Sequence, residues 1–502
     1  MKSSGNLGDV FSAHGDSNDL AVIDFSHDAN PRETSYVKLT EGCNSLARGL
    51  KRSGFKKGSR IGILALNRLE FLEVLFGSMR AGCVPVLINA KLPFKQVQYI
   101  ISDANAQIVF GDENLRKLCS SQTRYISFDN GNYSDFKDHG PFESYQPNSD
   151  DIAEQPYTSG STGYPKGVLL HHFGQRWMID RLVESRSLVP EDCGIISAPL
   201  YHKNALLAVK SALQAAGRIV LLPKFDVRKY IKYIEKYKIT MLTGVPTMYA
   251  LMLQQEKLIS TTDISSVRSI SMGSAPASEV LLDQLQDRFP DARINLNYGI
   301  TEGGPILFSW KHPDGLERPR TTVGFPIDGV EITLEDGPNE YQGILKVRSP
   351  GVMLGYHNLP EATKRDLKDG WLNTGDILRR DEHGWYYFIG RADDMFVTGG
   401  ENIYPGDVEA MLERHEDIMQ AVVVPAPNIL KAHVPHAFIV VKEGSNLNEK
   451  LVKEYALKNA PPYAHPRRVF IMEHLPLSGT NKIDRRKLLE IASKAAEKDG
   501  TA

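Results

Sequence analysis

The sequence predicts an α/β protein with three parts. These are a large N-terminal domain of parallel sheets covered by helices, a β-barrel-like subdomain, and a small α+β domain at the C-terminus. Three observations predict this architecture. Apolar runs and amphipathic stretches alternate over the first part of the chain, short runs broken by Gly, Pro and Asp follow after about Ser309, and roughly the last 110 residues have strands and helices of their own.

The N-terminal part repeats a strand–helix–strand pattern. RIGILAL (60–66) is a short apolar run, NRLEFLEVLFGSMRAG (67–82) has the pattern of an amphipathic helix, and VPVLIN (84–89) is a second apolar run. The pattern returns at 218–244 and at 268–299. In these two units the helical stripes are formed by Tyr230, Ile234 and Tyr237, and by Leu281, Leu285 and Phe289. Such alternation predicts parallel sheets that bind ligands at the carboxyl ends of their strands.

The C-terminal third changes character twice. VEITLEDG (330–337), GILKVRSPG (343–351) and GWYYFIG (384–390) predict antiparallel or barrel-like strands. GRADDMFVTGGENIYPG (390–406) is rich in Gly and charge, as a hinge would be, and the segment that follows is long enough for a small domain. We therefore expect an N-terminal domain over residues 1–391, with the barrel-like part at about 310–390, and a C-terminal domain over 392–502.

Composition excludes several classes of protein. The 502 residues carry 59 basic and 61 acidic side chains, a net charge of −2 without a single-sign tail, which disfavours nucleic acid as a partner. Four distant cysteines, without a CxxC pair, disfavour a disulfide framework and a structural zinc site. We find neither a signal-peptide core nor a membrane-spanning run, so we expect a cytoplasmic protein without an integral membrane segment. The oligomeric state is left open, a homodimer included.

A glycine-rich loop with a fixed cation is the first candidate site. In YTSGSTGYPKG (157–167), glycines allow a ligand to approach the backbone, hydroxyls add hydrogen-bond donors, and a lysine follows, which together suit phosphate oxygens. The loop residues are Thr158, Ser159, Gly160, Ser161, Thr162, Gly163 and Lys166. The spacing matches neither the P-loop nor GxGxxG. On composition alone a flexible linker is the favoured interpretation, but the flanking apolar residues and the lysine argue against it.

Three further polar turns add to this candidate. NYGITEGG (297–304) follows a predicted strand and contains Glu302, GWLNTGD (370–376) ends in Asp376, and LPLSGTNKIDRRKL (475–488) places Lys482 before a final helix. Asp376 could accept both hydroxyls of a ribose. Taken singly, each residue could instead be a solvated loop acid, a turn former or a surface lysine.

Taken together, these stretches resemble the motifs of the adenylate-forming superfamily, which includes acyl-CoA synthetases, luciferases and peptide-synthetase adenylation domains. The order and spacing match over almost the whole chain, and RAGCVPVLINAKLP (80–93) and MGSAPAS (272–278) also resemble superfamily motifs. The hinge stretch looks most like that of bacterial aryl- and acyl-CoA ligases such as the chlorobenzoate-CoA ligases. The resemblance implies that a carboxylate attacks the α-phosphorus of ATP, and that the thiol of coenzyme A then displaces AMP from the acyl-adenylate.

The resemblance also implies a role for each matching residue. The glycine-rich loop with Lys166 would bind the phosphates of ATP, Asn297, Tyr298 and Gly299 would border the nucleotide with Tyr298 stacked on adenine, and Thr301 would contact the α-phosphate. Glu302, with Thr162, would hold Mg²⁺. On the adenine side would lie Ser274, Ala275 and Pro276. Asp376 and Arg391 would bind the ribose.

The resemblance implies a rotation of the C-terminal domain between the two half-reactions. Lys482 would bridge the carboxylate and the α-phosphate in the first, Asp393 would be the pivot, and Thr398, Gly399 and Gly400 would line the pantetheine tunnel in the second. Two departures from the family pattern affect these assignments. Asn481 stands where a glycine usually precedes the lysine, and the hinge reads ADD where many members have a lysine before the second aspartate.

The acyl pocket is expected near His202, in PLYHKNALLAV (199–209), and a core histidine is the alternative role for that residue. Amino-acid-activating relatives place an aspartate nearby, and this stretch has none, so an amino acid is disfavoured. The other pocket candidates are small or apolar: Val245, Met248, Gly273, Tyr298, Gly299, Ile300 and Gly304. They predict a monocarboxylic acid with an apolar tail or ring, aryl or medium acyl. Two other functions remain open, the loading of a carrier protein and non-catalytic nucleotide binding.

Overall fold

The computed structural model describes residues 5–27, 30–158, 164–304, 306–398, 401–478 and 482–499. Two seven-stranded sheets form most of the N-terminal part. The first is parallel except for its last pair of strands, which is antiparallel. Its strands lie in the order Arg293–Asn297, Ser269–Gly273, Met241–Gly244, Cys193–Ile196, Arg218–Leu221, Leu20–Asp24 and Arg32–Ser35.

In the second sheet five neighbouring strands are parallel, and the two strands at one edge, Gly355–Tyr356 and Lys166–His171, pair in antiparallel fashion. Its order is Gly355–Tyr356, Lys166–His171, Ile152–Thr158, Val84–Leu87, Arg60–Leu64, Ala106–Gly111 and Tyr125–Ser127. The predicted strand–helix–strand units therefore occur in both sheets. The α/β class expected from the sequence is confirmed.

Antiparallel strands follow, as the broken runs after about Ser309 predict. Five of them form one sheet, made of Glu331–Asn339, Gln342–Arg348, Trp371–Arg380, Leu367–Lys368 and Tyr386–Arg391. A two-stranded ribbon, Phe308–Ser309 with Phe325–Pro326, is linked to this sheet through a bridge between Gly324 and Tyr386. The strand Trp371–Arg380 carries Asp376, which faces the edge of the parallel sheets.

The C-terminal residues build a separate sheet with hydrophobic clusters of its own. Its strands are Glu401–Ile403, Phe396–Thr398, Ala432–Val441, Ile418–Asn428 and Arg468–Ile471. Leu412, Ala437 and Ile439 centre the cluster on one face, and Phe438 and Leu488 the cluster on the other. This is the separate α+β unit that the sequence predicts.

Helices cover the faces of the sheets. In the N-terminal part they are Tyr36–Arg52, Leu69–Arg80, Phe94–Asp103, Asn132–Phe136, His172–Arg186, Lys203–Gln214, Val227–Tyr237, Pro246–Leu253, Glu256–Ser260, Glu279–Arg288 and Pro360–Asp366. In the C-terminal part they are Pro405–Glu413, Glu449–Asn459 and Arg485–Lys498. Short 3₁₀ turns occupy Leu7–Asp9, Ser12–His14, Glu113–Leu118 and Ala392–Asp394. Among the described residues, no helix has the length and apolarity needed to cross a membrane.

Local chemistry explains where several helices begin. The Asp226 carboxylate accepts hydrogen bonds from the backbone N–H groups of Arg228 and Lys229, and Ser278 caps the helix Glu279–Arg288 in the same way. The helix Leu69–Arg80 is buried along its whole length, more deeply than an amphipathic pattern implies. Its two acids are neutralised inside the protein, Glu70 by Arg68 and Glu73 by Lys137.

Candidate active site

One large cleft, of about 3250 Å³, opens where the carboxyl ends of the first parallel sheet meet the antiparallel sheet and the C-terminal unit. Residues from all three parts line it. Those predicted from the sequence are His202, Val245, Gly273, Ser274, Ala275, Pro276, Asn297, Tyr298, Gly299, Ile300, Thr301, Asp376, Arg391 and Lys482. The structure thus brings together residues that lie almost three hundred positions apart in the chain.

Asp376 is held between two partners on the cleft wall. Tyr298 donates its phenolic hydrogen to Oδ2 over 2.6 Å, and Arg391 donates to Oδ1 over 2.9 Å. Burial raises the pKa of Asp376, an effect that Arg391 opposes. Burial also raises the pKa of Tyr298, so the phenol stays protonated and remains a donor. A carboxylate fixed in this way can accept hydrogen bonds from two neighbouring hydroxyls.

Glu302 contacts two strands of the second sheet, those that contain Thr158 and Tyr356. Its Oε1 accepts hydrogen bonds from Thr158, at the end of the strand Ile152–Thr158, over 3.0 Å, and from Tyr356 over 3.3 Å. The backbone oxygen of Glu302 accepts from Met353 N–H over 2.8 Å. Because Thr301, next to it, lines the cleft, this contact joins the base of the glycine-rich loop to the same site.

Lys166 is placed by an aromatic ring. Its Nζ lies 4.1 Å from the centre of the Tyr356 ring and 3.8 Å from Oδ2 of Asp366. Its side chain is therefore beside the Glu302 contact, although it does not line the cleft itself. The predicted loop residues Ser159, Gly160, Ser161, Thr162 and Gly163 lie outside the described residues, as does the predicted metal ligand among them.

The predicted adenine side is the end of two adjacent strands. Gly273 pairs in register with Asn297, and the Asn297 amide donates to the backbone oxygen of Met272 over 3.2 Å. A Cβ atom at Gly273 would lie 3.1 Å from the Asn297 oxygen, so a larger residue there would push the two strands slightly apart. Ser274 has φ +67°, a left-handed conformation that is strained for serine and recurs at binding sites.

His202 stands at the start of the helix Lys203–Gln214, on the cleft wall. Burial lowers its pKa to about 3, helped by the charges of Lys482 and Lys91. The ring is therefore neutral at ordinary pH. Its Nε2 is buried and has no hydrogen-bond partner among the described residues, which leaves it available to a ligand. A core histidine with satisfied nitrogens, the alternative from the sequence, does not describe this side chain.

Lys482 comes from the C-terminal unit. It lies between two contacts that fix the turn, since its backbone oxygen accepts from Ser478 N–H over 2.7 Å and Leu477 bridges to Ile483. The residue as a whole is exposed, but it lines the cleft, and loss of water around its ammonium group lowers its pKa. The charge of Asp376 opposes that shift. Lys482 therefore faces both Asp376 and His202.

Some of the remaining predicted pocket residues line the cleft and others do not. Val245, Gly273, Gly299 and Ile300 line the cleft. Met248 lies in the buried core, 2% exposed, against the strand Met241–Gly244. Gly304 has φ +106°, and a Cβ there would meet Met178 Cε at 2.9 Å, so Met178 fills the space beside it.

The hinge residues are only partly described. Asp393 lies in the 3₁₀ turn Ala392–Asp394, and its Oδ2 is 3.6 Å from an Arg391 guanidinium nitrogen. Thr398 is 1% exposed at the end of the strand Phe396–Thr398, and its hydroxyl has no partner among the described residues. The predicted tunnel residues Gly399 and Gly400 lie outside the described part of the chain.

Sequence reasoning missed several residues around this site. Tyr356 orders both Glu302 and Lys166, and the Thr374 hydroxyl accepts from Asp376 N–H over 3.1 Å. A buried cluster of Glu154, Lys203 and Lys210 was also missed. The signal for it was present, because Glu154 stands inside a strand and both lysines lie on the stretch after His202 that otherwise reads as apolar.

Comparison with known proteins gives consistent matches. The family model for AMP-binding enzymes matches residues 11–357, and the model for their C-terminal domain matches residues 407–482. The chain is 30% identical over 491 residues to 4-coumarate:CoA ligase 1 of Petunia hybrida, covering 92% of this chain and 89% of the relative. It is 29% identical over 459 residues to a feruloyl-CoA synthase of Amycolatopsis, covering 89% and 92%.

Among solved structures, the chain resembles the o-succinylbenzoate CoA synthetase of Bacillus subtilis in complex with its acyl-adenylate intermediate. The TM-score is 0.83 at 26% identity, covering 96% of this chain and 97% of the other.

Proposed function

Because the chain belongs to the family of AMP-binding enzymes and is an AMP-forming acid–thiol ligase that uses ATP and coenzyme A, we propose that it converts an aryl or medium-chain acid into its CoA thioester. We propose two steps. The acid first becomes an acyl-adenylate with release of pyrophosphate, and the thiol of coenzyme A then takes the acyl group with release of AMP. The single observation that carries the proposal is the shared cleft, where Thr301, Asp376 and Lys482 meet.

In the first step, we assign positioning and charge neutralisation to the cleft residues. The acid oxygen must attack the α-phosphorus in line while negative charge builds on the phosphate oxygens. Lys482 supplies a positive charge at that point, and Thr301 a hydroxyl donor. Asp376, held by Tyr298 and Arg391, accepts the ribose hydroxyls.

We propose that a magnesium ion binds beside Glu302. The carboxylate is a hard oxygen ligand, and its Oε2 has no hydrogen-bond donor among the described residues, while Oε1 is held by Thr158 and Tyr356. No cluster of three or more His, Cys, Asp or Glu side chains that could hold a metal occurs in the described part of the chain. The ion would therefore be shared with phosphate oxygens and would neutralise charge on the leaving pyrophosphate.

We assign Lys482, which lines the cleft, to the first step only, so the second step needs a different arrangement of the C-terminal unit. We propose that the C-terminal unit rotates about Asp393 and presents the Thr398 region instead. In support, Asp393 lies in a short exposed turn between two sheets, and its contact to Arg391 is long, at 3.6 Å. A turn of this kind can change its backbone angles at small cost.

The substrate class is aryl or medium acyl. Small and apolar residues at the expected pocket, Val245, Gly273 and Ile300, suit an apolar body, and the ligases named above act on 4-coumarate and ferulate. A carrier-protein acceptor gains no support, because these relatives are named CoA ligases or synthases.

The test is an ATP–pyrophosphate exchange assay over a panel of benzoic, cinnamic and C6–C12 fatty acids, followed by an acceptor assay with coenzyme A and with a holo-carrier protein. We expect exchange with at least one class of acid and thioester formation with coenzyme A. Absence of exchange with every acid would contradict adenylation, and thioester formation with the carrier protein alone would contradict the acceptor.

A further inference from the structure

A buried charge cluster lies behind the wall of the cleft, beside His202. Lys203 lines the cleft and is 7% exposed, and its Nζ donates to Glu154 and, over 2.6 Å, to the Gln175 side-chain oxygen. The other Glu154 oxygen accepts from Lys210 Nζ over 2.7 Å. Two ammonium groups therefore share one fully buried carboxylate.

The charges of this cluster do not cancel. A single lysine would balance Glu154, and a buried charge without a counter-charge is costly. The nearest histidines add nothing, because burial lowers the pKa of His172 to about 4 and that of His202 to about 3. Burial lowers the pKa of Lys210 to about 8, and the charge of Glu154 opposes that shift. With both lysines protonated, the cluster has one more positive charge than Glu154 balances within the described residues.

Lys203 is the residue of this cluster that can donate a hydrogen bond to a ligand. An ammonium group has three N–H donors, and those of Lys203 have only two acceptors in the described part of the chain, Glu154 and Gln175. Of the four side chains in the cluster, Lys203 alone lines the cleft. The third N–H of its ammonium group therefore has no acceptor among the described residues, and Lys203 is the member of the cluster that lies nearest to a ligand in the cleft.

The cluster lies at a distance from the reacting end of the site. Glu154 and Thr158 are four residues apart on one strand, so they face the same side and are separated by about 13 Å. Thr158 contacts Glu302, next to Thr301, where the phosphates are expected. The Glu154 end of the strand therefore corresponds to the far end of an elongated acid, not to its carboxylate.

We propose that Lys203 determines specificity by donating a hydrogen bond to an oxygen substituent at the distal end of the substrate acid. The inference rests on the proposed function and narrows its substrate class from acids with a plain apolar tail to acids with a distal hydroxyl, alkoxy or carboxylate oxygen. A site that offers a buried donor rejects an analogue lacking the oxygen, because the donor is then left unpaired.

The first experiment needs only the unmodified protein. Exchange of pyrophosphate into ATP is measured with matched acids: cinnamate against 4-hydroxycinnamate, benzoate against 4-hydroxybenzoate, and octanoate against 8-hydroxyoctanoate. In the best pair we expect kcat/KM to favour the oxygenated acid by on the order of 10²-fold. Equal kcat/KM in every active pair would overturn the inference while leaving adenylation intact, whereas no exchange at all would contradict the proposed function itself.

Two matched variants then assign the preference to a residue. Lys203→Met leaves Glu154 paired with Lys210, and Lys210→Met leaves it paired with Lys203, so each variant keeps one balanced ion pair. The oxygen preference should disappear in Lys203→Met and persist in Lys210→Met. Persistence in Lys203→Met, or loss in both, would overturn the role of Lys203. If Lys203→Met does not fold, Lys203→Gln, which keeps a donor without the charge, replaces it and should reduce the preference for carboxylates most.

Discussion

Tyr298 and Asp376 are joined by a hydrogen bond of 2.6 Å between the phenolic hydroxyl and Oδ2. Tyr298 follows Arg293–Asn297, an edge strand of the first parallel sheet, and Asp376 lies within the antiparallel sheet, so this contact joins two parts of the protein across the cleft. The proposed ribose position and the sheet junction thus involve the same pair.

Tyr298→Phe tests this pair. The change removes the donor and leaves Asp376 with one fewer partner in a buried site, which should cost about 1–3 kcal/mol of stability. We expect a lower melting temperature, and a raised KM for ATP with a smaller change in kcat. Calorimetry and steady-state kinetics measure the two effects. An unchanged KM for ATP would contradict a role for the Tyr298–Asp376 hydrogen bond in nucleotide binding.

Glu302→Gln tests the magnesium site. The amide keeps the shape of the side chain but removes the charge, so the Mg²⁺ concentration for half-maximal pyrophosphate exchange should rise by at least on the order of tenfold. Tyr356→Phe is the control, because it removes one donor to Glu302 and leaves the carboxylate in place. The control should keep the Mg²⁺ dependence of the unmodified protein, and the assignment fails if Glu302→Gln keeps it too.

The pKa of Lys482 predicts an alkaline limit. Burial lowers this pKa, so the ammonium group loses its proton at a lower pH than an ordinary lysine. Adenylation, which needs the charged form, should therefore fall as pH rises through the lowered pKa. In Lys482→Arg the guanidinium stays charged, so the remaining activity should not fall over this alkaline pH range. A pH–rate profile of pyrophosphate exchange tests it, and an identical alkaline limb in both proteins would assign it to another group.

Asp393→Pro tests the pivot. Proline fixes φ at this turn and should hold the C-terminal unit in the arrangement described above, with Lys482 on the cleft. Pyrophosphate exchange should survive while thioester formation fails. Asp393→Ala, which leaves the backbone free, should retain both activities. Normal overall turnover in the proline variant would rule out rotation about this residue.

Much of the fold was predictable from the sequence because local patterns determine it. The strand–helix–strand units at 60–89, 218–244 and 268–299 each have an apolar run, a helical stripe and a second run, and all three form the expected elements. The helix Leu69–Arg80 shows the limit. Its acidic positions imply a solvated face, but partners far along the chain, such as Lys137, neutralise them and allow complete burial.

Site residues that belong to a sequence motif were predictable, whereas residues whose position depends on tertiary packing were less so. Tyr298, Asp376 and Lys482 were recognised from their turns and do share a cleft. Met248 was expected in the pocket because it is apolar and near Val245, but its helix turns it into the core. Tyr356 gave no local signal, since its role depends on contacts with residues far along the chain. Lys203 was visible as a charge in an otherwise apolar stretch, but its buried partner Glu154 lies 49 positions away in the sequence.

The proposed two-step mechanism depends most on Lys482 acting from the C-terminal unit in the first step only. The decisive measurement is the single-turnover rate of each half-reaction in Lys482→Ala, with Lys487→Ala, an exposed lysine nearby, as control. Adenylate formation should slow by on the order of 10²–10³-fold or more, because charge on the phosphate is no longer neutralised. Transfer from supplied acyl-adenylate to coenzyme A should keep its rate. An equal loss of rate in both half-reactions would contradict this role of Lys482.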